Sequence, residues 1–226
     1  MYDIGPGGDS MAHYVMSDIH GEGSRFYAML DRIGFSSADS LYILGDVIDR
    51  GGDGVALLRQ ILATRNMTLL LGNHEQMMLE YYRPGATFIE ILRWNRNGNA
   101  PTVAALDQLR EKQLLNLLAD VKELPDHMEV EVDGCRFHLV HGFPGDTRYS
   151  RVWTRPDYFA ANPIPDATLI VGHTPVVAYS AHEPVRDHFR ILHAPGFIDI
   201  DCGCGHSSEQ RRLACLRLED MQEFYC

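Results

Sequence analysis

Through the first third of the chain, short apolar runs alternate with longer amphipathic ones, and each short run stops at a polar cluster. His13-Tyr14-Val15-Met16 predicts a strand, which leads into Ser17-Asp18-Ile19-His20-Gly21. Phe26, Met29, Leu30 and Ile33 then recur at helical spacing as far as Gly34, with Ser24 as the expected cap. Ser40–Leu44 predicts a second, buried strand, ending in Gly45-Asp46-Val47-Ile48-Asp49-Arg50-Gly51, and Val55–Ala63 is helical by period. Met67–Leu71 predicts a third strand, ending in Gly72-Asn73-His74-Glu75.

Strand, polar cluster and helix, three times over, is the pattern of βαβ units, so the fold class is α/β. In such sheets ligands gather beyond the carboxyl ends of the strands, which places all three polar clusters on one edge. Residues 75–124 read as a helical cover, with an amphipathic helix over Leu106–Leu118. Met128–Val132 and Cys135–Val140 alternate around Asp133-Gly134, a hairpin signal. The second of these strands ends in His141-Gly142, and Thr168–Val171 ends in Gly172-His173-Thr174. Phe189–Leu192, Phe197–Ile200 and Leu213–Leu218 are expected to extend a second, partly antiparallel sheet packed on the first. Residues 1–12 read as a flexible leader, with Met11 an alternative start, and 13–226 as a single domain.

Composition narrows the function classes. A net charge of -11 offers no basic stripe for a phosphate backbone, so no nucleic-acid partner is expected. No apolar run approaches the ~18 residues that span a bilayer, and residues 1–10 are not built as a secretory signal. Five cysteines, an odd number, read as free thiols in a cytoplasmic protein.

The candidate chemistry lies at the strand ends. Buried strands that deliver Asp18, His20, Asp46, Asn73, His141 and His173 need a cation to offset the burial of their charge. Six oxygen and imidazole donors suit two ions that share one carboxylate. Asp46 is the natural bridge, with Asp18 and His20 on one ion and Asn73, His141 and His173 on the other. The mixture of hard oxygens and imidazoles, without thiolate, favours Mn²⁺, Fe or Zn²⁺. Two ions roughly 3.5–4 Å apart clamp the attacking and leaving oxygens of an in-line displacement, with a hydroxide between them. His74, beside Asn73, is placed to protonate a leaving oxygen, and Asp49 to orient its ring. Arg50 offers a planar fork for phosphate oxygens, and Arg155 is a second candidate.

These five blocks resemble those of the calcineurin-like metallophosphoesterases. The Asp49-Arg50-Gly51 ending resembles the phosphoprotein phosphatase branch in particular. Trp94-Asn95-Arg96-Asn97-Gly98 and Leu124-Pro125 are similar to features of its compact bacterial and phage serine/threonine phosphatases. The resemblance covers about His13 to Leu218. It implies two mixed β-sheets packed as a sandwich flanked by helices, a dinuclear centre often loaded with Mn²⁺, and one-step hydrolysis without a phosphoenzyme. It also implies His74 as the acid, Asp49 as its partner, and Arg50 and Arg155 as phosphate binders. Ser17 and Gly52 depart from the common Gly and Pro of the pattern, and 180–195 is longer than in the most compact members.

Three functions follow as expectations. The first is a phosphomonoesterase acting on phosphoserine, phosphothreonine or phosphotyrosine in proteins, or on small phosphate esters. The second keeps the chemistry and hydrolyses dinucleoside tetraphosphates symmetrically. The third, a binding scaffold, should have lost ligands, and this chain retains all six.

Overall fold

In the computed structural model, which describes residues 11–182 and 188–226, the short apolar runs form strands covered on both faces. β1 (His13–Met16) leads to α1 (Gly23–Ile33), β2 (Ser40–Ile43) to α2 (Gly54–Ala63), and β3 (Met67–Leu69) to α3 (Asn73–Tyr82). β1 pairs with β2 and β2 with β3, all parallel, so their carboxyl ends share one edge. Along β1, Tyr14 and Met16 enter the core beneath the helices, and Val15 enters the core against the second sheet. Burial on both faces is why these strands read as continuous apolar runs.

The cover continues as α4 (Phe88–Arg96), α5 (Ala100–Leu106) and α6 (Glu111–Lys122). The single helix expected over 106–118 is therefore two. Arg110 takes extended angles between them, and its backbone N–H donates to the Gln113 side chain, 3.1 Å away, which restarts the helix. Ser24 is likewise not a cap: it lies inside α1, which begins after Glu22.

β4 (His127–Val132) and β5 (Cys135–Val140) form the expected hairpin. Asp133 and Gly134 both have positive φ, 50° and 79°, as a tight turn matched to strand twist requires. Then come α7 (Arg148–Trp153), β6 (Thr168–Val171), β7 (Leu192–His193), β8 (Ile198–Asp199), β9 (Ala214–Arg217) and β10 (Glu223–Tyr225). The chain thus forms two mixed five-stranded sheets, ordered β10-β9-β1-β2-β3 and β4-β5-β6-β8-β7, flanked by helices.

The tail divides differently from expectation. Only β7 and β8 join the second sheet, whereas the 213–218 run supplies β9, which pairs antiparallel with β1. The 189–192 run contributes only its last residue to a strand. Of the expected leader, residues 1–10 lie outside the described residues, and Ala12 is already tied to Asp39 by a 3.0 Å hydrogen bond. Of the 180–195 segment, residues 183–187 also lie outside them. Among the described residues no helix is long and apolar enough to cross a membrane.

One buried acid ties the strand ends together. Glu75, in the first turn of α3, accepts from the backbone N–H groups of Asp46 (2.8 Å), Val47 (2.9 Å), Ile48 (3.3 Å) and Gly72 (3.2 Å). The loop after β2 is thereby fixed to the helix after β3. Glu75→Gln keeps one acceptor oxygen and loses the other. It should lower stability by about 1–3 kcal/mol in chemical denaturation of the metal-free protein, and unchanged stability would show that the carboxylate is not the tie.

Candidate metal centre and acid–base pair

The convergence of strand ends forces the backbone into sparsely populated conformations. Nine non-glycine residues among those described have positive φ, and six of them belong to the predicted site: Asp18, His20, Asp46, Asp49, Arg50 and His173. Each costs on the order of 1–3 kcal/mol, and such strain clusters where function over-determines geometry. Gly72 shows how tight the packing is: a Cβ there would lie 2.2 Å from Asp46 Oδ1.

Asp46 stands at the centre. Its Oδ2 lies 3.7 Å from His20 Nε2, and its Oδ1 lies 3.4 Å from His141 Nε2. Donor atoms of Asp46, His141 and His173 fall within 4.8 Å of one another, and so do those of Asp46, His20 and His74. In the second group His74 is committed elsewhere, because its Nδ1 pairs with Asp49 and its Nε2 faces Arg50. Asp18 is the better third donor, with Oδ1 3.7 Å from His20 Nε2 while Oδ2 accepts from Ser17 Oγ and His173 N. Asn73 Oδ1 lies 2.9 Å from His141 Nε2. All six predicted donors are gathered, each at most 5% exposed.

The ring hydrogen bonds establish which nitrogens face inward. His20 Nδ1 lies 3.1 Å from the Ile48 carbonyl and His141 Nδ1 2.7 Å from that of Leu44, so each Nδ1 carries its proton outward. His173 is reversed, with Nε2 3.2 Å from the Trp153 carbonyl. Each ring therefore turns a lone pair toward the cluster, as the outer partners of metal-bound histidines arrange. Electrostatics agree. Burial opposes a charged His141, yet the carboxylates of Asp46 and Asp18 raise its pKa to about 9. Burial and His141 push His173 down to about 3, and burial raises Asp18. This donor set fits two divalent ions sharing Asp46.

Beside the cluster, His74 Nδ1 lies 2.5 Å from Asp49 Oδ2. The Asp49 carboxylate also accepts from Trp94 Nε1 (2.7 Å) and Thr102 Oγ1 (2.6 Å), while Asp49 N donates to Thr102 Oγ1 (2.9 Å). Trp94 comes from α4 and Thr102 from α5, so the helical cover holds the acid that holds the imidazole. Burial disfavours a charged His74, but Asp46 and Asp49 outweigh it and its pKa is raised. His74 Nε2 faces Arg50 Nη2 at 3.3 Å.

Arg50 and Arg155 both line a cleft of about 350 Å³ above the cluster, together with Asn97, Trp153, Asp201 and His206. Sequence reasoning gave no role to Trp94, Thr102, Glu75, Asp201 or His206. Trp94 had a signal, a lone tryptophan within a helical block that the resemblance also covered. Thr102 had none, because its contact spans 53 positions.

A stretch of 110 residues, 47% of this chain, is 39% identical to the symmetrical bis(5'-nucleosyl)-tetraphosphatase of Wigglesworthia glossinidia brevipalpis and spans 40% of that protein. A stretch of 134 residues is 30% identical to serine/threonine-protein phosphatase 2 of Escherichia coli, covering 58% of this chain and 59% of that one. The matched parts thus span less than two thirds of either relative. Among solved structures, a metallophosphoesterase from Sphaerobacter thermophilus superposes with a TM-score of 0.58 over 96% of this chain and 87% of that one, at 18% identity, a likeness of fold. Residues 11–219 match the calcineurin-like phosphoesterase family, and the chain belongs to it.

Proposed function

We propose that the chain hydrolyses phosphate monoesters with two divalent ions, Mn²⁺ preferred over Fe or Zn²⁺, and that phosphorylated serine or threonine in proteins is its substrate class, with phosphotyrosine and small esters accepted. The observation that carries this reading is a buried His74–Asp49 pair set 3.7 Å from the carboxylate that both donor groups share. Asp18, His20 and Asp46 would hold one ion, and Asp46, Asn73, His141 and His173 the other. Ions so held would supply Lewis-acid polarisation of the phosphoryl group and would lower the pKa of water toward neutrality.

The protein's own groups do the rest. Arg50 and Arg155 take non-bridging oxygens, which orients the ester. His74 Nε2 gives its proton to the leaving oxygen, and Asp49 keeps Nδ1–H oriented and the imidazolium favourable. Trp94 and Thr102 keep Asp49 from turning away. Two guanidiniums suit one phosphoryl group, whereas a tetraphosphate needs cations along three more. The name of the Wigglesworthia relative nonetheless favours symmetrical dinucleoside tetraphosphate hydrolysis as a second reading. Five free cysteines fit a reducing, cytoplasmic setting.

Purified protein loaded with Mn²⁺ should turn over a phosphothreonine peptide at least tenfold faster, by kcat/KM, than diadenosine tetraphosphate. The reverse order selects the second reading, and turnover of neither rejects both. Chelation should abolish activity and Mn²⁺ restore it. Asp46→Asn should lower metal content at both positions, whereas full occupancy in the variant would refute the shared carboxylate. His74→Asn should lower kcat by roughly 10²–10⁴-fold with metals retained, and by less for nitrophenyl phosphate, whose leaving group needs no proton. An equal loss on both substrates would argue against His74 as the acid.

A further inference from the structure

The sequence Cys202-Gly203-Cys204-Gly205-His206 follows β8, and the chemistry above does not use it. It forms a loop that is fixed on both sides. Asp201 Oδ1 accepts from Gly203 N (3.0 Å), and His206 N donates to the Gly203 carbonyl (2.9 Å). Arg211 Nη1 donates to the His206 carbonyl (2.7 Å), and the same guanidinium pairs with Glu22 at 3.3 Å. Cys204 Sγ lies 3.5 Å from the Ile19 carbonyl. Gly205 lies directly on the His20 ring: a Cβ there would come within 2.3 Å of His20 Cδ2, so only glycine permits this approach.

This loop delivers the His206 side chain to the cleft wall that Arg50, Asn97 and Arg155 also line. His206, Arg50 and Arg155 line the same cleft, and partial burial with the fields of the two guanidiniums holds the imidazole below the ordinary histidine pKa. A hydrogen-bonding imidazole on a preorganised backbone, sharing one cleft with two arginines and with a cluster fit for cations, is suited to an anion bound there, even though Asp201 lines the same cleft. Its backbone hydrogen bonds confine the loop before any ligand arrives, so little ordering entropy remains to be lost on binding.

We propose that His206 is a third phosphoryl-binding side chain of the cleft, acting with Arg50 and Arg155 on the substrate's outward oxygens and on the orthophosphate product. It makes this grip in the ground state and the transition state alike, so it acts on KM and on product affinity rather than on the chemical step. The inference rests on the proposed hydrolysis for its kinetic reading, while its binding reading stands apart.

The test uses the full chain loaded with Mn²⁺, with orthophosphate as the probe. Calorimetric titration of wild type, His206→Ala and His206→Gln gives the phosphate Kd, and nitrophenyl phosphate gives kcat and KM. His206→Ala should weaken phosphate binding about tenfold and raise KM in parallel, with kcat within about twofold, a change of roughly 1.4 kcal/mol. His206→Gln, which keeps a donor, should recover most of the affinity. Unchanged phosphate affinity in His206→Ala overturns the assignment, as does a fall in kcat at constant KM, or a loss that glutamine does not relieve. If wild type binds phosphate but hydrolyses nothing, the hydrolase reading fails, and the Kd comparison alone decides His206.

Discussion

The structure is governed by the burial of like charge at the ends of parallel strands. Asp18, Asp46 and Asp201 line one cleft and are each at most 3% exposed, and Asp49 and Glu75 are fully buried. A carboxylate removed from water is costly unless donors or cations meet it. Glu75 is met by four backbone amides, Asp49 by Trp94, Thr102 and His74, and Asp201 accepts from Gly203 N. Asp46 is surrounded by imidazoles whose inward nitrogens carry lone pairs, and Asp18 shares that surrounding. This arrangement fits divalent cations better than protons. That asymmetry separates the supporting acids from the candidate ligands.

The same constraint explains why the helical cover sits where it does. α4 packs on α3 and α5 on α2, which brings Trp94 and Thr102 onto Asp49, so the His74–Asp49 pair is supported by residues distant in sequence. Trp94 is fully buried against Tyr81 and Tyr82, with ring centroids 5.0 and 6.2 Å away, which fixes the direction of its N–H. Rigid support of this kind suits the proton-donor role proposed for His74, because transfer distance tolerates little error.

Much of this was legible in the sequence because period and chemistry coincide. β1, β2 and β3 were readable because each apolar run ends in a polar block, and the parallel order then places Asp18, Asp46 and Asn73 on one edge. His141 and His173 close β5 and β6 in the same way. What was hidden depends on tertiary contact. β9 carries no local mark that would assign it to the first sheet, and the 106–118 leucines keep helical spacing across a break at Arg110. Glu75 reads as an ordinary helix-start acid until the amides of Asp46, Val47 and Ile48 are brought to it. His206 lies in a glycine-rich tail with no period, and only its place beside Arg50 and Arg155 gives it meaning.

Family membership establishes the class of chemistry, and the donor geometry supplies its physical basis. The central claim is that two cations share Asp46. Anomalous diffraction from crystals grown in manganese tests it most directly. The account predicts two peaks roughly 3.5–4 Å apart, one on each side of the Asp46 carboxylate, with the second also against Asn73, His141 and His173. A single peak, or two peaks that do not both touch Asp46, would contradict it.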